Sequence, residues 1–274
     1  MQIVTAEITH RLRPFIKHMW IVEEGGALDI SIKSFPVGYA FINVIDGNPF
    51  RIADKDITTT YKSYLAGPRA SFYDLDMAFI KRALTIQLQP FSLPYFFSMP
   101  ASEFTGQIVR LADIIPSFAE ELESFICSDL GSSEVLGNVA DVLLKRLDVP
   151  IVDKRIVHSL DILLRTGGDI RIDALSSHLN VSQRRLQQLF QQYYGLSAKK
   201  YSRIIKMQHH TFNLLNGQDV AAIIPDGYYD QSHFIHELRT QTGMLPTAFY
   251  EYITHENRKG AYLNSCLFLK HRRP

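Results

Sequence analysis

The C-terminal half of this 274-residue chain repeats itself every 48 residues. Leu175 pairs with Ile223, Ser182 with Asp230, Leu186 with Phe234, Phe190 with Leu238, Gly195 with Gly243 and Tyr201 with Phe249. Each place keeps its physical type: a capping side chain, two apolar residues four apart, a glycine, then an aromatic. Each copy therefore reads as short helix, turn, longer helix, glycine and next helix. Residues 197–215, SAKKYSRIIKMQHHTFNLL, supply the helix between copies. About 17 helical residues span ~26 Å. Two helix-turn-helix units on a rigid spacer are predicted.

In such a unit the second helix enters a major groove while the first braces it on the backbone. The first copy, VSQRRLQQLFQQYYG, turns Leu186, Leu189 and Phe190 inward and Gln183, Arg184, Gln187 and Gln188 outward. Arg pairs in bidentate fashion with guanine and Gln with adenine, so these four are the predicted base contacts. Lys199, Lys200, Arg203 and Lys206 follow at places suited to phosphates. Residues 171–206 hold seven Lys and Arg against one acid, Asp173. An Arg/Gln-rich helix alone is more often a solvated surface. The repeat and the basic helix behind it favour DNA.

The second copy has a different charge. In DGYYDQSHFIHELR, residues 226–239, Phe234 and Leu238 face inward, while Gln231, Ser232, His233 and His236 face outward. Residues 217–252 carry one basic residue, Arg239, against Asp219, Asp226, Asp230, Glu237 and Glu251. Phosphate neutralisation dominates non-specific affinity, so this unit is expected to prop up the fold and read DNA only weakly. Gln231, Ser232 and His236 are its expected base contacts, and Arg239 its phosphate contact. Arg258, Lys259, Lys270, Arg272 and Arg273 make a basic tail over 254–274.

The first ~90 residues look β-rich. LDISIK (28–33) and LTIQLQ (84–89) alternate with period two, and YAFINVIDGNPFRIA is a hairpin candidate turning at Asp46-Gly47-Asn48. Helical patterns follow near 116–127 and 133–147, the second with a stripe of Leu136, Val139, Val142 or Leu143 and Leu147. That stripe could bury against a second subunit or against its own sheet. The aromatic run at Phe91, Tyr95, Phe96 and Phe97 suits core packing or docking onto the C-terminal half better than a pocket. Pro150, in LDVPIVD, marks the best boundary. The expected class is α+β: a β-rich sandwich or barrel with appended helices over 1–150, then an all-α domain of two units over 151–253. Residues 1–150 hold 13 basic and 18 acidic residues, and 151–274 hold 16 and 10.

Two cysteines, Cys127 and Cys266, lie far apart without metal-ligand spacing. The β-rich half has only His10 and His18, both read as preceding its strands, too few for a cupin-like metal site. No nucleotide or hydrolase motif occurs. The chain is therefore expected to be no enzyme, without metal or cofactor. The opening residues have no continuous apolar core like that of a secretory leader, and no apolar run approaches ~20 residues, so a cytoplasmic protein off the membrane is expected.

The stretch DGYYDQSHFIHELRTQTGMLPTAFYEY (226–252) resembles the signature segment of the AraC/XylS transcription regulators, and LSSHLNVSQRRLQQLFQQYYGLSAKKY (175–201) resembles their first unit. LAGP (65–68), after a β-rich stretch, is similar to their sensor domains. Ile224, Pro225, His236, Leu238 and Thr240 depart from the family pattern in unit two, and Ala198 in unit one. The resemblance implies a transcription regulator, an activator by expectation, that binds double-stranded DNA and contacts RNA polymerase. Its sensor would take a small-molecule effector or form a homodimer. The alternative is a protein–protein regulator with a degenerate DNA-binding domain, suggested by the acidic second unit.

Overall fold

The computed structural model describes residues 2–48, 50–55, 57–147, 152–215 and 231–258. Its front half is built on β1 (Gln2–Thr5), β2 (Ile16–Ser34), β3 (Phe41–Asp46), β4 (Phe50–Ile52), β5 (Ile57–Thr59), β6 (Ser63–Ala66), β7 (Tyr73–Leu88) and β8 (Ile108–Arg110). The main path runs β1-β2-β7-β3-β6-β8, with β4 and β5 joined to the far part of β7. LDISIK lies in β2 and LTIQLQ largely in β7. His18 sits within β2, paired with Gln87, rather than ahead of the strands.

The expected hairpin does not form. The chain does turn after Asp46, but β3 pairs with β6 and β7, and β4 with β5 and β7. Ile45 lies opposite Ala83 and Phe50 opposite Met77, so β3 and β4 are successive partners of one long strand. Phe79, between those stretches, has φ 55. A non-glycine residue in the left-handed region bends β7 there, and the bend separates β3 from β4.

Short α1 (Leu93–Phe97) and α2 (Leu111–Ile114) precede α3 (Pro116–Ile126) and α4 (Ser132–Arg146). The α4 stripe is buried within this chain: Leu136, Val139, Val142, Leu143 and Leu147 join the core that includes Ile21, Ile42, Leu84 and Ile86 of the sheet. Phe91, Tyr95, Phe96 and Phe97 belong to the same core. Tyr95 also meets Tyr193 with ring centroids 6.1 Å apart, so the aromatic run is both packing and dock.

The rest is helical: α5 (Lys154–Arg165), α6 (Ile172–His178), α7 (Gln183–Tyr194), α8 (Ala198–Leu215), α9 (Gln231–Thr242) and α10 (Pro246–Arg258). At 18 residues, α8 spans ~27 Å. The repeat holds in three dimensions. Leu186, Phe190 and Tyr201 are buried, and so are Phe234, Leu238 and Phe249. Gly195 and Gly243 both end their helices with positive φ, 70 and 72. Ser182 caps α7 by accepting from Arg185 N at 3.2 Å. The expected cap Asp230, the pair member Ile223 and the tail beyond Arg258 lie outside the described residues.

The two copies dock on different faces of the sheet. Leu186, Leu189, Phe190 and Tyr194 share a core with Ile21, Ile42 and Ile86. Phe234, Leu238, Phe249 and Ile253 share one with Trp20, Val22, Phe35 and Phe41. Neighbours along β2 and β3 point to opposite sides, so each unit is packed against its own side of the β domain.

Candidate nucleic-acid interface

Leu186, Leu189, Phe190 and Tyr194 bury one side of α7, which leaves Gln183, Arg184, Gln187 and Gln188 exposed on the other. The turn before this helix uses Asn180, φ 51, a conformation Asn tolerates better than most residues. Gln188 Oε1 accepts from Arg185 Nη1 at 3.4 Å. The C-terminal end of α7 is occupied by the β domain, where Thr105 Oγ1 donates to Gly195 O at 2.5 Å. The four predicted base-reading side chains lie at the other end, open to solvent.

Three basic side chains of the bridging helix and the starts of both second helices meet in one groove. Gln183, Lys199, Arg203, Lys206 and His233 line it, together with Arg171, and its volume is 630 Å³. Residues 199, 203 and 206 share a face of α8 because they are one turn apart. Sequence pattern does not mark Arg171 and His233 as DNA contacts. Only folding places them beside Lys199.

The predicted phosphate contacts are not equivalent. Lys199 and Lys200 are exposed. Lys206 Nζ bonds Asp169 Oδ1 at 2.6 Å. Arg203 Nε lies 3.4 Å from Glu237 Oε2, so its partly exposed guanidinium already faces a carboxylate of the protein. On α9, Gln231, Ser232, His233, His236 and Arg239 are exposed. Glu237 is buried, so one of the acids expected to repel DNA is neutralised internally.

His210 holds the junction between α8 and α9. Its ring meets Phe234 edge-on, centroids 5.0 Å apart, and its Nε2 has no hydrogen-bond partner among the described residues. Burial, then the neighbouring His209, lowers its pKa to about 4 from an ordinary 6.5. The unfolded chain therefore binds a proton that the folded chain refuses between those values. Its stabilising contribution is complete above pH 6.5 and is lost as pH falls toward 4. Urea unfolding at pH 7 and pH 5 should differ by up to about 2 kcal/mol more for the native sequence than for His210→Leu. Equal pH dependence of the two would show that His210 is freely protonated.

Residues 175–252 match a helix-turn-helix domain family, and residues 9–110 match a domain of unknown function, DUF6597. No curated protein matches the chain in sequence. Similar solved structures include ToxT from Vibrio cholerae O395, 11% identical over 86% of this chain and 96% of that one, with TM-score 0.40. The unsaturated fatty acid-bound wild-type ToxT from Vibrio cholerae strain SCE256 is 12% identical over 84% and 96%, with TM-score 0.42. The AraC-like transcriptional activator CuxR is 14% identical over 76% and 85%, with TM-score 0.22. None of these overlays is close enough to carry a residue role or a ligand to this chain. No helix among the described residues is long and apolar enough to cross a membrane.

Proposed function

We propose that this chain, whose residues 175–252 match a helix-turn-helix domain family, is a DNA-binding transcription regulator of the AraC/XylS type in which α7 reads bases in one major-groove segment and α9 reads the next more weakly. The supporting observation is the exposed Gln183–Gln188 face, whose first residue opens onto the same cation-lined groove as the start of α9. Arg184 and Gln183, Gln187 and Gln188 take base edges. Lys199, Lys200 and Lys206 take phosphates, Lys206 by exchanging Asp169 for DNA. Gln231, Ser232 and His236 add a secondary reading, with Arg239 beside them. The working division is 1–150 for sensing, 151–253 for DNA and 254–274 as a basic tail, in a cytoplasmic activator that contacts RNA polymerase.

Within the β domain a 90 Å³ cavity is lined by Trp20, Phe41, Asn43, Tyr64 and Thr85 among others. Gln87, two residues beyond Thr85 on β7, is fully buried with both amide atoms unpartnered among the described residues. These features favour a small, largely apolar effector with one hydrogen-bonding group. The bridging helix lies against this domain: Gln208 Nε2 donates to Val37 O at 2.7 Å, and Met207 joins the core on that face of the sheet. Occupancy of the cavity would thus bear on α8 and α9 through the apolar core they share with its walls.

Salt dependence tests the DNA reading. Each neutralised phosphate contributes about −0.9 to the slope of log affinity against log salt. The three lysines alone predict a slope near −3 or steeper, and the Lys199→Ala, Lys200→Ala double variant should lose about 2 of it. A decayed domain acting only on proteins would give a slope near zero for the unaltered chain.

A further inference from the structure

The 48-residue register aligns Glu237 of α9 with Leu189 of α7. Leu189 is 1% exposed and Glu237 8%, so both point inward. Unit two has thus placed a carboxylate where unit one has an aliphatic side chain. It has two partners. Arg203 Nε, on the bridging helix, stands 3.4 Å from Oε2. Gln241 Nε2 donates to Oε1 at 3.1 Å and to Arg203 O at 3.4 Å. Leucine packs without direction and lets neighbouring helices slide or rotate slightly. A buried carboxylate tolerates only arrangements that keep it paired, because an unpaired one is strongly disfavoured.

We propose that Glu237, Arg203 and Gln241 form a clamp that fixes the rotation of α9 about α8, and so sets the half-site spacing the two reading helices accept. Glu237 is a positioning residue in this scheme, and Arg203 serves the clamp rather than a phosphate. The proposal rests on the DNA-binding reading above.

The experiment uses the full chain. Duplexes are selected from a random 40-bp library, and the recovered sequence is rebuilt with the two half-sites moved 1, 2 or 3 bp together or apart. The unaltered chain is expected to lose at least about tenfold in affinity on such shifts, since each misplaced contact costs roughly 1–3 kcal/mol. Glu237→Leu, which installs the side chain unit one already uses, should bind the parental duplex within about threefold while its discrimination between spacings falls below about threefold. Glu237→Gln, closer in shape, should relax discrimination partly. Arg203→Ala should relax spacing and leave the salt slope unchanged. Spacing preferences in both Glu237 variants as sharp as in the unaltered chain would overturn the clamp, and so would a salt slope reduced by about 0.9 in Arg203→Ala. The parent reading fails differently, with the unaltered chain binding every duplex alike.

Discussion

Arg184→Ala is expected to weaken binding to a selected duplex by about 10- to 100-fold, the ~1–3 kcal/mol of one bidentate base contact. His236→Ala or Arg239→Ala should each change it by less than about threefold. The asymmetry follows from surroundings. Arg184 is exposed on a well-buttressed helix whose inward residues are buried, followed by the lysines of α8. Arg239 and His236 lie on α9, which has one basic side chain and whose inner face carries the polar Glu237, Gln241 and Thr242. Gel shifts at one salt concentration, with specific and scrambled duplexes, separate the effects. Arg184→Ala should lose specific affinity and keep most of the scrambled affinity. Equal losses from all three substitutions would end the division of labour between the units.

A large effect on stability is expected from Gly195→Ala. This residue closes α7 at φ 70, and a Cβ there would stand 2.7 Å from both Ala101 O and Thr105 Oγ1. The left-handed conformation alone costs an alanine roughly 1–2 kcal/mol. The carbonyl of Ala101 belongs to backbone and cannot rotate aside. Gly243 is a matched control: it occupies the same place in the repeat at φ 72, but its Cβ would meet the Phe72 ring at 2.5 Å, a side chain able to move. Gly195→Ala should therefore cost about 3 kcal/mol or more, lowering Tm by about 6–12 °C, and Gly243→Ala clearly less. Calorimetry would also reveal unit one separating from the β domain as a second transition. Equal shifts for the two variants would mean that the Ala101 contact gives way freely.

Much of the C-terminal half was legible because helix faces are encoded locally. The inward set Leu186, Leu189 and Phe190, the cap at Ser182 and the glycine ends follow from side-chain type and spacing alone. The inward position of Glu237 is encoded too, since the 48-residue register sets it opposite Leu189, although its charge by itself marks a surface residue. The front half was readable as strands but not as pairings. Asp46-Gly47-Asn48 does mark a turn, yet the strands beside it choose β7 over each other. Likewise the α4 stripe announced burial without naming its partner, which proves to be this chain's own core.

The amino-acid order by itself determined the α+β division, the duplicated helical unit and which side of α7 faces water, because each is written in side-chain type and spacing along the chain, whether within a helix or at the 48-residue repeat. Tertiary structure alone decided that the units dock on opposite faces of one sheet, that Arg203 and Lys206 already hold carboxylates, and that Gln87 is buried without partners among the described residues, near an apolar cavity. Those are choices among distant partners. They depend on how layers stack and which strand lies beside β7, competitions between long-range contacts that no local pattern records.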